Sequence, residues 1–213
     1  MPDEALRPSL LIFDLDGTLY RTDSSFIPTM RRVYEEFGVP YPGDAAILGM
    51  VGEPFETFVD WLLAQEFGVG RARLRARISE LELVSIRERG VLFDGVAETL
   101  RILLERGHVL ALCTNGDRRY TDAVLGRCGL LGYFRHLRTL DGVPSTKAER
   151  MAALRVRYPG HRALVVGDRY HDVEAARATG CTAIGAAYGY ARPGELDAAD
   201  HVIGSFADLL ALV

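Results

Sequence analysis

A small set of residues in this chain has the types and spacing to act together on a charged substrate: Asp14, Asp16, Thr114, Asn115, Lys147, Asp168 and Asp172. The first two follow the apolar run Leu10 to Phe13, the pattern of a strand buried on both faces. Residues two apart on an extended segment point to the same side, so both carboxylates face one place at the carboxyl end of that strand. In open α/β sheets that end is where ligands bind. Like charges so close repel, which requires a cation, a shared proton or wide exposure to water. The competing reading of Asp16-Gly17 is an Asp-rich turn after a strand.

Thr114-Asn115 ends a second apolar segment and precedes a helix, whose N-terminus favours anions. Lys147 begins another helix. Of the 25 basic residues it is the single lysine, and its position is informative for that reason. Gly167-Asp168 ends a further apolar segment, and Asp172 follows four residues on. Hard oxygen donors without a Cys or His cluster suit magnesium. A lysine, a hydroxyl and exposed amides suit the oxygens of a phosphate. The combination reads as phosphoryl transfer with a metal and an aspartyl nucleophile.

Each residue also has a plainer reading. Asp168 could be a helix N-cap, Thr114 a turn residue and Lys147 a solvated surface lysine. His171, between Asp168 and Asp172, reads as a surface or hydrogen-bonding side chain, because aspartates already fill the proton-transfer positions. Arg71, Arg73, Arg75, Arg77, Arg87 and Arg89 spread around a helix and read as a solvated face. Phe55, Phe58 and Trp61 at helical spacing read as core rather than pocket.

The elements that must position these groups fall into two textures. After the first strand, Thr22 to Ser25 offers N-cap chemistry for a helix over 26–37, with Phe26, Met30, Val33 and Phe37 on one face. A connector with Pro40, Pro42 and Gly43 leads to a short helix over 44–49. Helices over 53–67 and 71–88 follow, the second carrying Leu74, Ile78, Leu81 and Val84 inward. From about 90, strands and helices alternate. Helices are expected over 96–106, 117–128, 146–157, 171–179 and 206–212. Strands are expected over 108–113, 163–166, 182–184 and 201–203, and a short strand and turn over 134–140. Such alternation argues for a parallel sheet with right-handed crossovers and helices on both faces. The helical insertion of about seventy residues hangs over the site end of the sheet, the place for a lid or specificity cap.

Composition sets outer bounds. The 213 residues suffice for a sizeable core, and 48% hydrophobic content fits a soluble globular protein. A net charge of −4 argues against general nucleic-acid or membrane-surface binding. Cys113, Cys128 and Cys181 lack metal-site spacing and read as small buried residues in a reducing cytoplasm. The opening Met-Pro-Asp-Glu-Ala lacks a signal-peptide layout, and no apolar run reaches membrane-spanning length.

In order and spacing, Asp14-Leu15-Asp16-Gly17-Thr18, Thr114-Asn115, Lys147 and Gly167-Asp168 through Asp172 resemble the four motifs of the haloacid dehalogenase superfamily. The segments VGDRYHDVEAARATG and IGAAYGY are especially similar to its phosphoglycolate-phosphatase-like members. The resemblance spans roughly residues 9–190. It implies a three-layer, Rossmann-like α/β core formed by 1–19 and 89–213, with an α-helical cap over 20–88. It implies a magnesium-dependent phosphatase of small phosphorylated metabolites; the sequence leaves open whether the protein is a monomer or homodimer. Asp14 would be the nucleophile and Asp16 the proton carrier. Asp14, the main-chain carbonyl of Asp16 and Asp168 would hold the metal, with Asp172 supporting a metal-bound water. Thr114, the Asn115 amide and Lys147 would hold the phosphoryl oxygens.

This chain departs from many relatives in the spacer after the first motif, Tyr20-Arg21-Thr22 before Asp23-Ser24, which leaves the substrate open. A dehalogenase would lack Asp16. A phosphonate hydrolase would use a cap lysine, and a hexose phosphomutase would be expected to carry cap His and Lys residues, all absent from 20–88. The readings kept beside a phosphatase are a catalytically silent phospho-metabolite binding protein on the same fold, and a phosphomutase or pyrophosphatase of the superfamily.

Overall fold

The computed structural model describes residues 8–141 and 145–213; the expectation for the first five residues lies outside them. Six strands form one parallel sheet: β1 (Leu10–Phe13), β2 (Val109–Cys113), β3 (His136–Arg138), β4 (Ala163–Gly167), β5 (Thr182–Ala186) and β6 (His201–Ile203). Their order is β3-β2-β1-β4-β5-β6, so β1 lies inside the sheet with β2 and β4 beside it. The chain runs outward from β1 through β2 to β3, then crosses β1 to resume at β4. The loops after β1, β2 and β4 therefore open side by side at the carboxyl edge, where such a reversal leaves a crevice.

Alternation along the strands divides the core into two layers. Leu11 and Phe13, with Leu110, Leu112, Leu164, Val166 and Ile184, face α5 (Val96–Glu105), α6 (Arg118–Arg127) and a closing 3-10 turn, Phe206–Ala211. Leu10 and Ile12, with Ala111, Val165 and Ala183, face α7 (Lys147–Arg155) and α8 (Tyr170–Ala178). Strands covered on both faces are continuous apolar runs rather than alternating ones. That is why Leu10 to Phe13 carries no polar residue.

Between β1 and β2 the chain builds α1 (Asp23–Phe37), α2 (Asp44–Leu48), α3 (Phe55–Leu63) and α4 (Arg71–Arg89). These helices have a core of their own, in which Met30, Val33, Phe58, Leu62, Leu74 and Ile78 are buried. Tyr34 and Phe67 meet edge to face at 4.9 Å. The chain leaves and re-enters the sheet along one stalk. The Arg21 amide donates to the Val91 carbonyl, the Phe93 amide donates to the Leu19 carbonyl, and Tyr20 bridges to Leu92 in antiparallel fashion.

Three expectations are corrected. The C-terminal helix, Phe206–Ala211, is of the 3-10 type, with its two buried side chains, Phe206 and Leu209, three residues apart. Helix α3 stops at Leu63; Phe67 still packs inward, from the loop that follows. On α4 the inward stripe continues through Ile86, leaving Val84 exposed. Cys113 and Cys181 are buried and Cys128 is half-buried, all as free thiols. Among the described residues no helix is long and apolar enough to cross a membrane.

The central strands carry the packing of both layers. Leu164→Ala, at a side chain fully buried in β4, is expected to lower unfolding free energy by about 2–5 kcal/mol in urea titration. Leu131→Ala, 63% exposed, should stay within about 0.5 kcal/mol of the parent.

Candidate active site

The ends of β1, β2 and β4 and the starts of α7 and α8 (Tyr170–Ala178) carry the expected residues to one edge of the sheet. Asp14 continues β1 and is 2% exposed, with its amide donating to the Val166 carbonyl at 2.9 Å. Lys147, first residue of α7, is not the solvated lysine of the plainer reading. It is 9% exposed, and its Nζ lies 2.9 Å from Asp14 Oδ1 and 2.6 Å from Asp172 Oδ1. A capping box between Thr146 and Glu149 fixes the turn that carries it. Burial alone would lower its pKa, yet the Asp14 and Asp172 carboxylates hold the ammonium above its ordinary range.

Asp168 is fully buried, and α8 is capped from Arg169, so Asp168 is not the N-cap. Its Oδ2 accepts the Tyr190 amide at 2.7 Å, and the Thr18 hydroxyl lies 3.5 Å from Oδ1. No ion pair reaches it among the described residues. Burial, then the charges of Asp14 and Asp172, push its carboxyl well above the usual range. Burial likewise raises Asp172. Ligand oxygens of Asp14, Asp168 and Asp172 lie within 4.8 Å of one another. Three buried carboxylates against one ammonium leave an excess of negative charge, and the donors are all oxygen. The set fits a hard divalent cation. Gly17 permits this closeness: its φ is +74°, and a Cβ there would fall 2.0 Å from Asp168 Oδ2.

Asp16 stands apart, half-buried and facing a cavity of about 390 Å³ between the sheet edge and the helical block. Its Oδ1 accepts the Thr22 hydroxyl at 2.8 Å and the Tyr120 hydroxyl. Burial first, then the charge of Asp14, raise its pKa to about 6. Thr22 was expected to cap α1, but it has helical torsions and makes no side-chain cap; its hydroxyl serves Asp16 instead.

Thr114 is buried and its Oγ accepts the Gly116 amide at 3.0 Å. The Asn115 side chain ties two parts of the molecule: Nδ2 donates to the Gly52 carbonyl at 3.0 Å and Oδ1 accepts from Arg150 at 2.6 Å. Among the described residues the main-chain amides of Leu15, Asp16 and Asn115 meet no protein acceptor. They are available to an anion.

Sequence reasoning missed several neighbours. Glu82 lines the cavity from α4 and has no hydrogen-bond or ion-pair partner among the described residues. Burial, then the charges of Asp16 and Asp117, raise its pKa to about 8. Its position four residues from both Ile78 and Ile86 was the available signal. Arg169, 1% exposed, bonds Glu195 at 2.8 and 3.2 Å and the Val51 carbonyl, clamping the loop before α3 onto the core. Among the described residues the hydrogen-bonding partner of His171 is Glu53, at 3.4 Å. Of the cap arginines, Arg71 pairs with Glu56 and Asp60, and Arg77 with Glu36 and Glu80. Arg75 pairs with Glu56 while also bordering the cavity, as do Phe55 and Phe58 but not Trp61.

Because the folded state keeps a proton on Glu82 that the unfolded chain loses near the ordinary 4.5, stability falls as pH rises from there towards 8. Glu82→Gln removes that dependence. Its melting temperature should match the parent at pH 4.5 and exceed it by a margin that grows to pH 8.5. A margin independent of pH would contradict the assignment.

The chain is similar to known proteins over most of its length. The family model for haloacid dehalogenase-like hydrolases matches residues 11–186. A phosphoglycolate phosphatase of Pseudomonas putida is 31% identical over 95% of this chain and 79% of its own length. One from Mannheimia succiniciproducens is 29% identical, covering 96% and 97%. Among solved structures, a haloacid dehalogenase-like hydrolase of Streptococcus pneumoniae superposes with a TM-score of 0.83 at 22% identity, over 96% of this chain and 98% of that one. With the sheet order, the buried carboxylate cluster and these likenesses taken together, the chain belongs to the haloacid dehalogenase-like hydrolases.

Proposed function

We propose that the protein is a magnesium-dependent phosphatase that hydrolyses phosphoglycolate or another small phosphate monoester through an aspartyl-phosphate on Asp14. The observation that carries this reading is the buried Asp14–Lys147–Asp172 arrangement with Asp168 alongside. Asp14 attacks phosphorus as the bond to the leaving oxygen breaks. Asp16 supplies the proton that leaves with the alcohol. It then takes a proton from the water that hydrolyses the Asp14 ester, releasing inorganic phosphate. Its carboxyl, raised to about 6, suits both duties near neutral pH.

Lys147, the Thr114 hydroxyl and the free amides at Leu15, Asp16 and Asn115 face the oxygens on which charge accumulates. A magnesium ion held by Asp14, the Asp16 carbonyl and Asp168 would offset the repulsion between an attacking carboxylate and a phosphate dianion. Asp172 holds Lys147 in place and would support a water bound to that ion. The helical block over 20–88 acts as a cap, and the cavity beneath it receives the leaving group.

Asp14→Asn keeps the shape of the side chain and removes the nucleophile. It should lower kcat by more than about 10³-fold while urea unfolding stays cooperative. Turnover close to the parent would overturn the aspartyl-phosphate route. Chelation with EDTA should abolish hydrolysis of p-nitrophenyl phosphate, and added magnesium should restore it. Lys147→Ala should weaken inhibition by inorganic phosphate and slow turnover together; unchanged kinetics would remove the lysine from the site. A screen of phosphorylated metabolites with magnesium then identifies the leaving group.

A further inference from the structure

A carboxyl that must hand a proton to one atom has two oxygens and a free rotor, so its orientation matters as much as its acidity. In Asp16 the two oxygens are treated differently. Oδ1 accepts two hydroxyls, from Thr22 at 2.8 Å and from Tyr120. Oδ2 has no protein partner among the described residues, and Asp16 borders the cavity.

Tyr120 is itself held firmly. It sits at the third position of α6, where the Asp117 carboxylate that caps the helix accepts its amide at 2.8 Å. Its ring packs against the buried layer of α5, α6 and the sheet. Gly116 leaves the space the ring occupies: a Cβ there would fall 2.7 Å from Tyr120 Cδ1.

We propose that Tyr120 is a positioning residue for proton transfer, locking Asp16 through Oδ1 so that Oδ2 is aimed at the ester oxygen of the leaving group. The inference rests on the acid–base role given to Asp16 above. The proton that moves is the one on Asp16 Oδ2. It passes to the leaving oxygen as the phosphorus–oxygen bond breaks, and a water proton replaces it when the Asp14 ester is hydrolysed. Tyr120 keeps its own proton throughout and touches neither phosphorus nor the leaving group.

The test uses leaving groups that differ in their need for a proton. An alkoxide cannot depart unprotonated at neutral pH, whereas p-nitrophenolate can. Single-turnover release of alcohol isolates the first step, measured for glycerol 1-phosphate and for p-nitrophenyl phosphate. Asp16→Asn serves as the reference for complete loss of the acid and should slow alkyl release far more than aryl release. Tyr120→Phe should slow alkyl release by about 10- to 100-fold, a part of the roughly 10²- to 10⁴-fold that a positioned acid supplies in full. Aryl release should stay within about 3-fold of the parent, as that chemistry does not draw on the acid. Gly116→Ala, which crowds the ring and leaves the phenol intact, should change the alkyl-to-aryl ratio in the same direction.

Equal loss on both substrates in Tyr120→Phe and Gly116→Ala, or no change in the ratio, would overturn the positioning role while leaving the phosphatase reading standing. No alkyl–aryl difference in Asp16→Asn would instead overturn the acid role of Asp16, and this inference with it.

Discussion

The ammonium of Lys147 lies 2.9 Å from Asp14 and 2.6 Å from Asp172, and all three side chains are withdrawn from water. Removing charges from water is costly, and an unmatched buried carboxylate is worse than a paired one. One cation cannot balance the three aspartates grouped here. Burial and mutual repulsion therefore hold the carboxyls of Asp168 and Asp172 above their ordinary range. Asp14 and Asp168 continue strands covered on both faces, and Asp172 lies in the first turn of α8, so all three are set by packed elements. Rigidity in the sheet and electrostatic excess at its edge are thus two sides of one arrangement.

The helical block meets that edge through few but well-placed bonds. Asn115 reaches the Gly52 carbonyl, Arg169 reaches the Val51 carbonyl, and Tyr190 bonds both Asp168 and Asp23. Each of these core residues lies at a strand end or follows one closely. The same backbone turns that aim the carboxylates also dock the loop before α3, so the cavity wall and the reacting groups share one frame. The wall itself is mixed, with Phe26, Phe55 and Phe58 beside Arg75, Ser79 and Glu82. It can enclose a leaving group with both apolar and polar parts.

Much of this was legible from residue types. The parallel sheet followed from apolar runs alternating with helical periods, and the aspartates, Thr114, Asn115 and Lys147 stood out because strand ends converge. What escaped did so for identifiable reasons. Thr22 has the chemistry of a helix cap, and only the fold reveals that Asp16 competes for its hydroxyl. Glu82 interrupts an apolar stripe on α4, and reading that stripe for its apolar members alone placed Val84 inward and passed over the carboxylate. Tyr120 and Arg169 act across sequence separations of 104 and 118 residues, which no local pattern encodes. The closing 3-10 turn differs from an α-helix by less than the apolar spacing of so short a segment can register.

The stalk formed by Arg21, Val91, Leu19 and Phe93 has a consequence for how such a molecule can change over time. Because its two strands pair with each other, the core meets the inserted helices as a closed loop with adjacent ends. The entropy of closing a loop grows only with the logarithm of its length, by about 0.6 kcal/mol for each doubling. A longer or shorter insertion that keeps the bonds to Asn115, Arg169 and Tyr190 would therefore cost the sheet little in closure entropy. The helices that wall the cavity can drift in sequence while the carboxylate cluster beneath them stays as it is.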